Sequence, residues 1–138
     1  MHTKHTTSFT VYPEDCNYMT ASDTNRPMVH GGYMLMRMDR VAAECARRAL
    51  YSSVCDSALT VKVEGVTFYV GASLGDIIFL EAELTKVGIK SMNINVVGFR
   101  EDSSGKKEKI CDGTFVFVSK YGDKTFPHGL KITKEQEK

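Results

Sequence analysis

One segment of this sequence has the makings of a long helix, and most of the chain after it is built for strands, so the fold has to set a single helix against a sheet. The segment opens at His30-Gly31-Gly32 and runs to about Tyr51 without a proline or a further glycine, through Met, Leu, Ala and Arg, all good helix formers. At about 100° per residue, Leu35, Met38, Ala42, Cys45, Ala46 and Ala49 share one apolar stripe, with Arg37, Arg40, Glu44, Arg47 and Arg48 on the opposite half. Asp39 breaks the pattern. It lies about 40° from Leu35 on the same wheel, flanked by Leu35, Ala42, Ala43 and Ala46. A carboxylate on the inner side of a helix is costly unless it is paired or hydrogen-bonded. On the wheel alone, a catalytic acid and an Asp that caps a neighbouring loop fit equally well.

Residues 7–12 alternate weakly as a first strand that Pro13 ends. Glu14 to Pro27 is polar and rich in turn formers, a loop long enough to be a binding segment. After Ser57 the sequence is β throughout. Val61 and Val63 point one way and Val66, Phe68 and Val70 the other, a change of phase that predicts a bulge at Gly65. Gly71 to Gly75 is a turn, and Asp76 is a turn residue opening a strand in which Ile78, Leu80, Ala82 and Leu84 alternate with Glu81, Glu83 and Thr85. Val87-Gly88 marks a hairpin, Met92, Ile94 and Val96 share one face of the next strand, and Glu101 to Glu108 forms a charged loop before a last strand at about 109–120. This order is α+β. A single helix covers one face of such a sheet, and the remaining face and edges favour a homo-oligomer.

The 138 residues suit one domain spanning 1–138, with a core over about 7–120 and a tail, 131–138, too charged to pack and expected to be disordered. A formal net charge of +1 with no basic block argues against nucleic acid as a partner. No stretch approaches membrane-spanning length, and the first residues lack the apolar core of a signal peptide. Cys16, Cys45, Cys55 and Cys111 show no CxxC spacing, which predicts free thiols and a cytoplasmic location. No His/Cys/Asp cluster has metal-ligand spacing, and no Ser-His pair has a nucleophile setting.

Several short motifs, in this order and spacing, resemble the hotdog-fold acyl-CoA thioesterases, in particular the bacterial and the cytosolic (brain) acyl-CoA hydrolases. They are Pro13-Glu14-Asp15-Cys16-Asn17, His30-Gly31-Gly32 with Met38-Asp39, Val63-Glu64-Gly65-Val66-Thr67-Phe68, Gly75-Asp76, Gly88-Ile89-Lys90-Ser91-Met92 and Thr114-Phe115-Val116-Phe117-Val118. The loop from Asn17 to His30 is longer than usual for that family, and Pro27-Met28 and Val70-Gly71 depart from its pattern. The resemblance implies a hotdog fold, one long central helix wrapped by a curved antiparallel sheet, with dimers joined edge to edge and often built up to tetramers or hexamers.

It also implies hydrolysis of a fatty acyl-CoA to free acid and CoA, with CoA present only as part of substrate and product and no metal or redox cofactor. In that scheme Asp39 activates the water as general base or attacks the thioester itself. Its apolar neighbours favour the protonated form, and bonds to the charged form oppose that. Free N–H groups of Gly31 and Gly32 at the helix N-terminus suit a developing oxyanion. Asn17 faces the partner chain's Asp39, or else belongs to an ordinary Asx-turn. His30 binds or orients substrate, and Lys86, Lys90 and Ser91 meet the CoA phosphates, although lysines beside a hairpin are commonly just solvated. Two rivals share the fold: a hydroxyacyl-thioester dehydratase using His30 with Asp39, and a non-catalytic CoA-binding module.

Overall fold

A computed structural model of the chain describes residues 1–17 and 27–132. The middle of the expected long loop and the end of the charged tail lie outside the described residues. Strand β1 (Lys4–Thr10) is followed by a 3-10 turn at Pro13–Asp15, the short paired strands β2 (Cys16–Asn17) and β3 (Met28–Val29), and helix α1 (Gly31–Ala49). A further 3-10 turn at Leu50–Ser52 closes the helix, and then come β4 (Ser57–Phe68), β5 (Ile77–Val87), β6 (Ser91–Glu101), β7 (Lys107–Tyr121) and β8 (Lys124–Thr125). The long strands form one antiparallel sheet in the order β1-β5-β6-β7-β4, so β1 and β4 are its edges. The helix touches all five of these strands, because the sheet curls around it. This is the hotdog architecture that the motifs imply. Among the described residues no helix is long and apolar enough to cross a membrane.

Alternation along the strands sets which side chains fill the hollow. Ile78, Leu80, Ala82 and Leu84 of β5, Met92, Ile94 and Val96 of β6, and Phe115 and Phe117 of β7 are all buried there. The helix meets them with Met34, Met38, Val41, Ala42, Cys45, Ala46 and Ala49. The inner stripe therefore differs from the expected one by including Met34 and Val41 and leaving Leu35 only half-buried. It is centred on Met38, which puts Asp39 about 100° off the centre, on the flank of the helix instead of its inner face. A wheel identifies an apolar sector; the curvature of the sheet decides where its middle falls.

The bulge expected at Gly65 is present: the β4–β7 register slips between Glu64 and Thr67, and Gly65 has φ +58°. A second slip, between Thr60 and Lys62, has no signal in the sequence. It leaves Thr60 opposite Phe117 and Val63 opposite Phe115, so two residues at an odd spacing both face the helix, as a regular strand would forbid. The turn role of Asp76 is also borne out, since its buried carboxylate accepts the Ser73 N–H at 2.9 Å. After β8 the chain runs back against the end of the helix, where His128 is buried and Leu130 and Ile132 pack on the core.

The Gly65 bulge presses against β7 at Gly113, where an added Cβ would stand 2.6 Å from Val66 Cγ2 and 3.2 Å from Val66 Cα. Backbone cannot swing aside as a side-chain tip can. Gly113→Ala should therefore lower stability by about 1–3 kcal/mol, read as a fall in the urea midpoint with an unchanged slope.

Candidate active site

The start of α1 is held by backbone hydrogen bonds from several segments at once. His30 N–H donates to Asp15 O at 3.1 Å, Val29 N–H to Ala72 O at 2.8 Å, and Leu74 N–H to Pro27 O at 3.0 Å. Asp15 is itself fixed, its carboxylate accepting Tyr12 N–H at 2.9 Å, and Arg100 donates to Gly71 O at 2.9 Å. The first intrahelical bond in this end runs from Met34 N–H to His30 O at 3.0 Å, which leaves the amides of Gly31 and Gly32 outside the helix ladder. Both glycines are exposed, and among the described residues no side chain caps this end and no acid lies in its first turn. Asn17 is next to it, paired in β2 with Met28, which lies two residues before His30.

Asp39 sits two helical turns further along, half-buried, at the wall of an open cleft of about 330 Å³ between α1 and the edge strand β4. Thr60 on β4 donates its hydroxyl to Asp39 Oδ1 at 2.8 Å. Among the described residues Asp39 Oδ2 has no hydrogen-bond partner, and Asp39 lines the cleft. The other walls are Gly32, Leu35, Met36, Val63 and Phe115. The carboxylate is thus neither turned out to bulk water nor sealed in the core. Nothing in the sequence singles out Thr60, because a threonine among Leu59, Val61 and Val63 is ordinary strand composition. Only the Val61 bulge turns it inward.

On the other side of the helix start lies a separate, apolar cavity of about 160 Å³, bounded by His30, Gly31, Met34, Phe68, Val70 and Ile110 among others. Gly31 borders this cavity and Gly32 borders the Asp39 cleft, so the start of the helix stands between the two. Within one chain His30 and Asp39 open into different cavities. Lys86, Lys90 and Ser91 are elsewhere again. β5 starts beside Thr10, near the helix N-terminus, and ends at Val87, so its hairpin with β6 is at the far end of the sheet. There Lys90 Nζ donates to Thr125 Oγ1 at 3.3 Å. One chain alone gathers Gly32, Asp39 and Thr60, and keeps the hairpin residues apart from them.

A model of the family described as the thioesterase superfamily matches residues 27–106, a span that holds the helix start, Asp39, Thr60 and the Lys90-Ser91 hairpin. The chain belongs to this superfamily. The acyl-CoA thioester hydrolase YciA of Salmonella typhimurium is 30% identical over 103 residues, covering 71% of this thioesterase-superfamily chain and 74% of its own length. The human cytosolic acyl coenzyme A thioester hydrolase is 30% identical over 112 residues, 79% of this chain but 27% of the human protein. A solved hexameric thioesterase of Yersinia pestis superposes with a TM-score of 0.75 at 24% identity, covering 92% of this chain and 94% of that one.

The four cysteines of this superfamily member are free and buried. Burial pushes the Cys45 and Cys111 thiols up to about 11, and it raises Cys16 as well. At pH 8 a thiol with that value is only about a thousandth ionised, and the thiolate is the reactive form. Cys45 and Cys111 in the native protein should therefore react with a disulfide thiol reagent at pH 8 at roughly a hundredth of their rate in the urea-unfolded chain or less, followed by absorbance of the released thiol in variants that keep only one of the two.

Proposed function

We propose that this chain is an acyl-CoA thioesterase that splits a fatty acyl-CoA into free acid and CoA by attack of water on the thioester carbonyl. The observation that carries this reading is the Asp39 carboxylate, held by Thr60 through one oxygen and open to a cleft through the other. Asp39 Oδ2 takes a proton from the attacking water as general base, while the Thr60 hydroxyl keeps the carboxylate aimed into the cleft. Gly32, with Gly31, offers amide N–H groups at the positive end of the helix to the oxygen as the carbonyl becomes tetrahedral. The leaving thiolate of CoA departs with the proton that Asp39 accepted. The reaction so written asks for water and these groups, and for no metal or redox cofactor.

The working unit is a homodimer joined along β4. Edge strand β1 is polar, whereas β4 exposes Leu59 at 57%, Val61 at 53% and Val63 at 44%. A second copy paired there would cover those side chains and close the Asp39 cleft, which opens at the same edge. In that arrangement Asn17 of one chain faces the partner's cleft and helps hold the water or the carbonyl. The apolar cavity beside His30 takes the acyl chain, and Lys86, Lys90 and Ser91 meet the CoA phosphates. Tetramers or hexamers built from such dimers fit the hexameric Yersinia pestis relative. Free thiols throughout suit a reducing compartment, the cytoplasm. The separation of His30 from Asp39 removes the acid–base pair that a dehydratase would need within one chain.

A panel of acyl-CoAs of increasing chain length, with the released thiol followed by absorbance, tests the proposal. Asp39→Asn should cost about 10²–10⁴-fold in kcat while the chain stays folded by circular dichroism. Thr60→Val, which leaves the carboxylate in place but unaimed, should cost roughly tenfold. Calorimetric binding of CoA with no thiol release from any member of the panel would instead make the chain a CoA-binding module.

A further inference from the structure

The segment after β8 carries a histidine that the catalytic scheme does not use and that the hydrogen bonds explain in detail. His128 is 4% exposed. Leu130 N–H, which can only donate, lies 2.9 Å from Nδ1, so Nδ1 accepts; Ser91 O, which can only accept, lies 2.9 Å from Nε2, so Nε2–H donates. The two backbone groups fix one tautomer. Ser91 O is also the acceptor of the bond that closes the β5–β6 hairpin, from Gly88 N–H at 3.0 Å. His128 N–H reaches Ile89 O at 3.3 Å, and Ser119 N–H reaches Lys90 O at 2.9 Å. The carbonyls of Ile89, Lys90 and Ser91 are thus each engaged from below, two of them by His128. On its other side His128 is tied to the end of the helix, its carbonyl accepting the Ser53 hydroxyl at 2.8 Å.

A hairpin tip whose own side chains are exposed would ordinarily be the loosest part of such a sheet. Gly88, Ile89 and Lys90 are all exposed, Ile89 at 77%. Three pinned carbonyls in succession fix the direction in which Lys90 and the Ser91 amide and hydroxyl point. We infer that His128 is a positioning residue for residues 87–91, holding that hairpin in the shape that receives the phosphate-bearing end of CoA. The inference rests on the reading of Lys90 and Ser91 as CoA contacts, and it concerns binding of the nucleotide half of the substrate, not the chemical step.

Two substitutions separate this role from packing. Gln at 128 can still present an N–H towards Ser91 O, whereas Asn can accept from Leu130 N–H but is too short to reach Ser91. Both lose the imidazole volume. KM and kcat are measured for an acyl-CoA and for the S-acyl-N-acetylcysteamine with the same acyl group, which ends before the phosphates, together with the calorimetric Kd of CoA itself. His128→Asn should raise KM for the acyl-CoA and Kd for CoA about fivefold, with kcat within about twofold and the truncated thioester unaffected. His128→Gln should stay within about twofold of wild type in all of them. Lys90→Ala should show the same selectivity for the CoA substrate as His128→Asn.

Equal effects of Asn and Gln, or equal effects on both substrates, would reduce His128 to packing and overturn the inference. If Lys90→Ala weakens CoA and His128→Asn does not, the hairpin is a CoA contact and His128 does not position it. If neither changes the Kd of CoA, the hairpin reading and this inference fall together. Should His128→Asn fail to fold, Ser53→Ala loosens the same segment without touching the imidazole. It should raise the Kd of CoA about twofold, and an unchanged value in the folded variant counts against the inference.

Discussion

Everything in this protomer depends on one packing constraint: a helix whose C-terminal half turns small residues to a sheet that supplies the bulk. Ala42, Cys45, Ala46 and Ala49 let the backbone of α1 come close, and Phe115, Phe117, Leu80, Leu84, Met92 and Ile94 fill the remaining space. Large side chains on both partners would hold the helix off and flatten the sheet; small ones on the helix let it curl far enough for all five long strands to reach α1. Because the stripe is centred on Met38, residues about 100° from that centre fall at the rim of the contact instead of inside it. That rim is where Asp39 stands. A site there is half-buried by construction, walled by helix on one side and by the edge strand on the other.

The sequence was a good guide to what periodicity controls and a poor one to what curvature and backbone irregularity control. Strand phases on β5 and β6, the Gly65 bulge and the turn role of Asp76 all follow from alternation, a glycine and a short acid before a strand. The unusual position of Asp39 was also visible, though its exact setting was not: the inner sector includes Met34 and Val41, and Leu35 belongs to the cleft wall. Thr60 could not have been found. Its inward aim comes from a slip at Val61, and valine carries no signal for a bulge as glycine does. Ile132 packs on the core although it falls in the tail, 131–138, expected to be disordered, because charged neighbours mask an apolar residue that has a place to go.

The superfamily match adds a different kind of information. It fixes what sort of chemistry the fold is used for, and it covers Asp39, the glycines and the hairpin, but it begins at residue 27 and so leaves Asn17 outside. What the structure gives for Asn17 is its place: a short strand paired with Met28, two residues before His30, sets it beside the start of the helix.

The two ends of the curled sheet differ in how their backbone groups are satisfied. At the N-terminal end of α1 no side chain among the described residues caps the amides, and apolar space lies on one side with a carboxylate cleft on the other. At the other end the chain does the reverse, satisfying three successive carbonyls of an exposed hairpin with His128 and Ser119. Unpaired donors are useful where negative charge develops during a reaction and would be a liability elsewhere. A tightly paired backbone suits a surface that must present side chains to a ligand already carrying its charge. A thioester joined to a long, phosphate-bearing handle calls for both. Edge strand β4, with Leu59, Val61 and Val63 exposed, is where the proposed second copy would join the two ends.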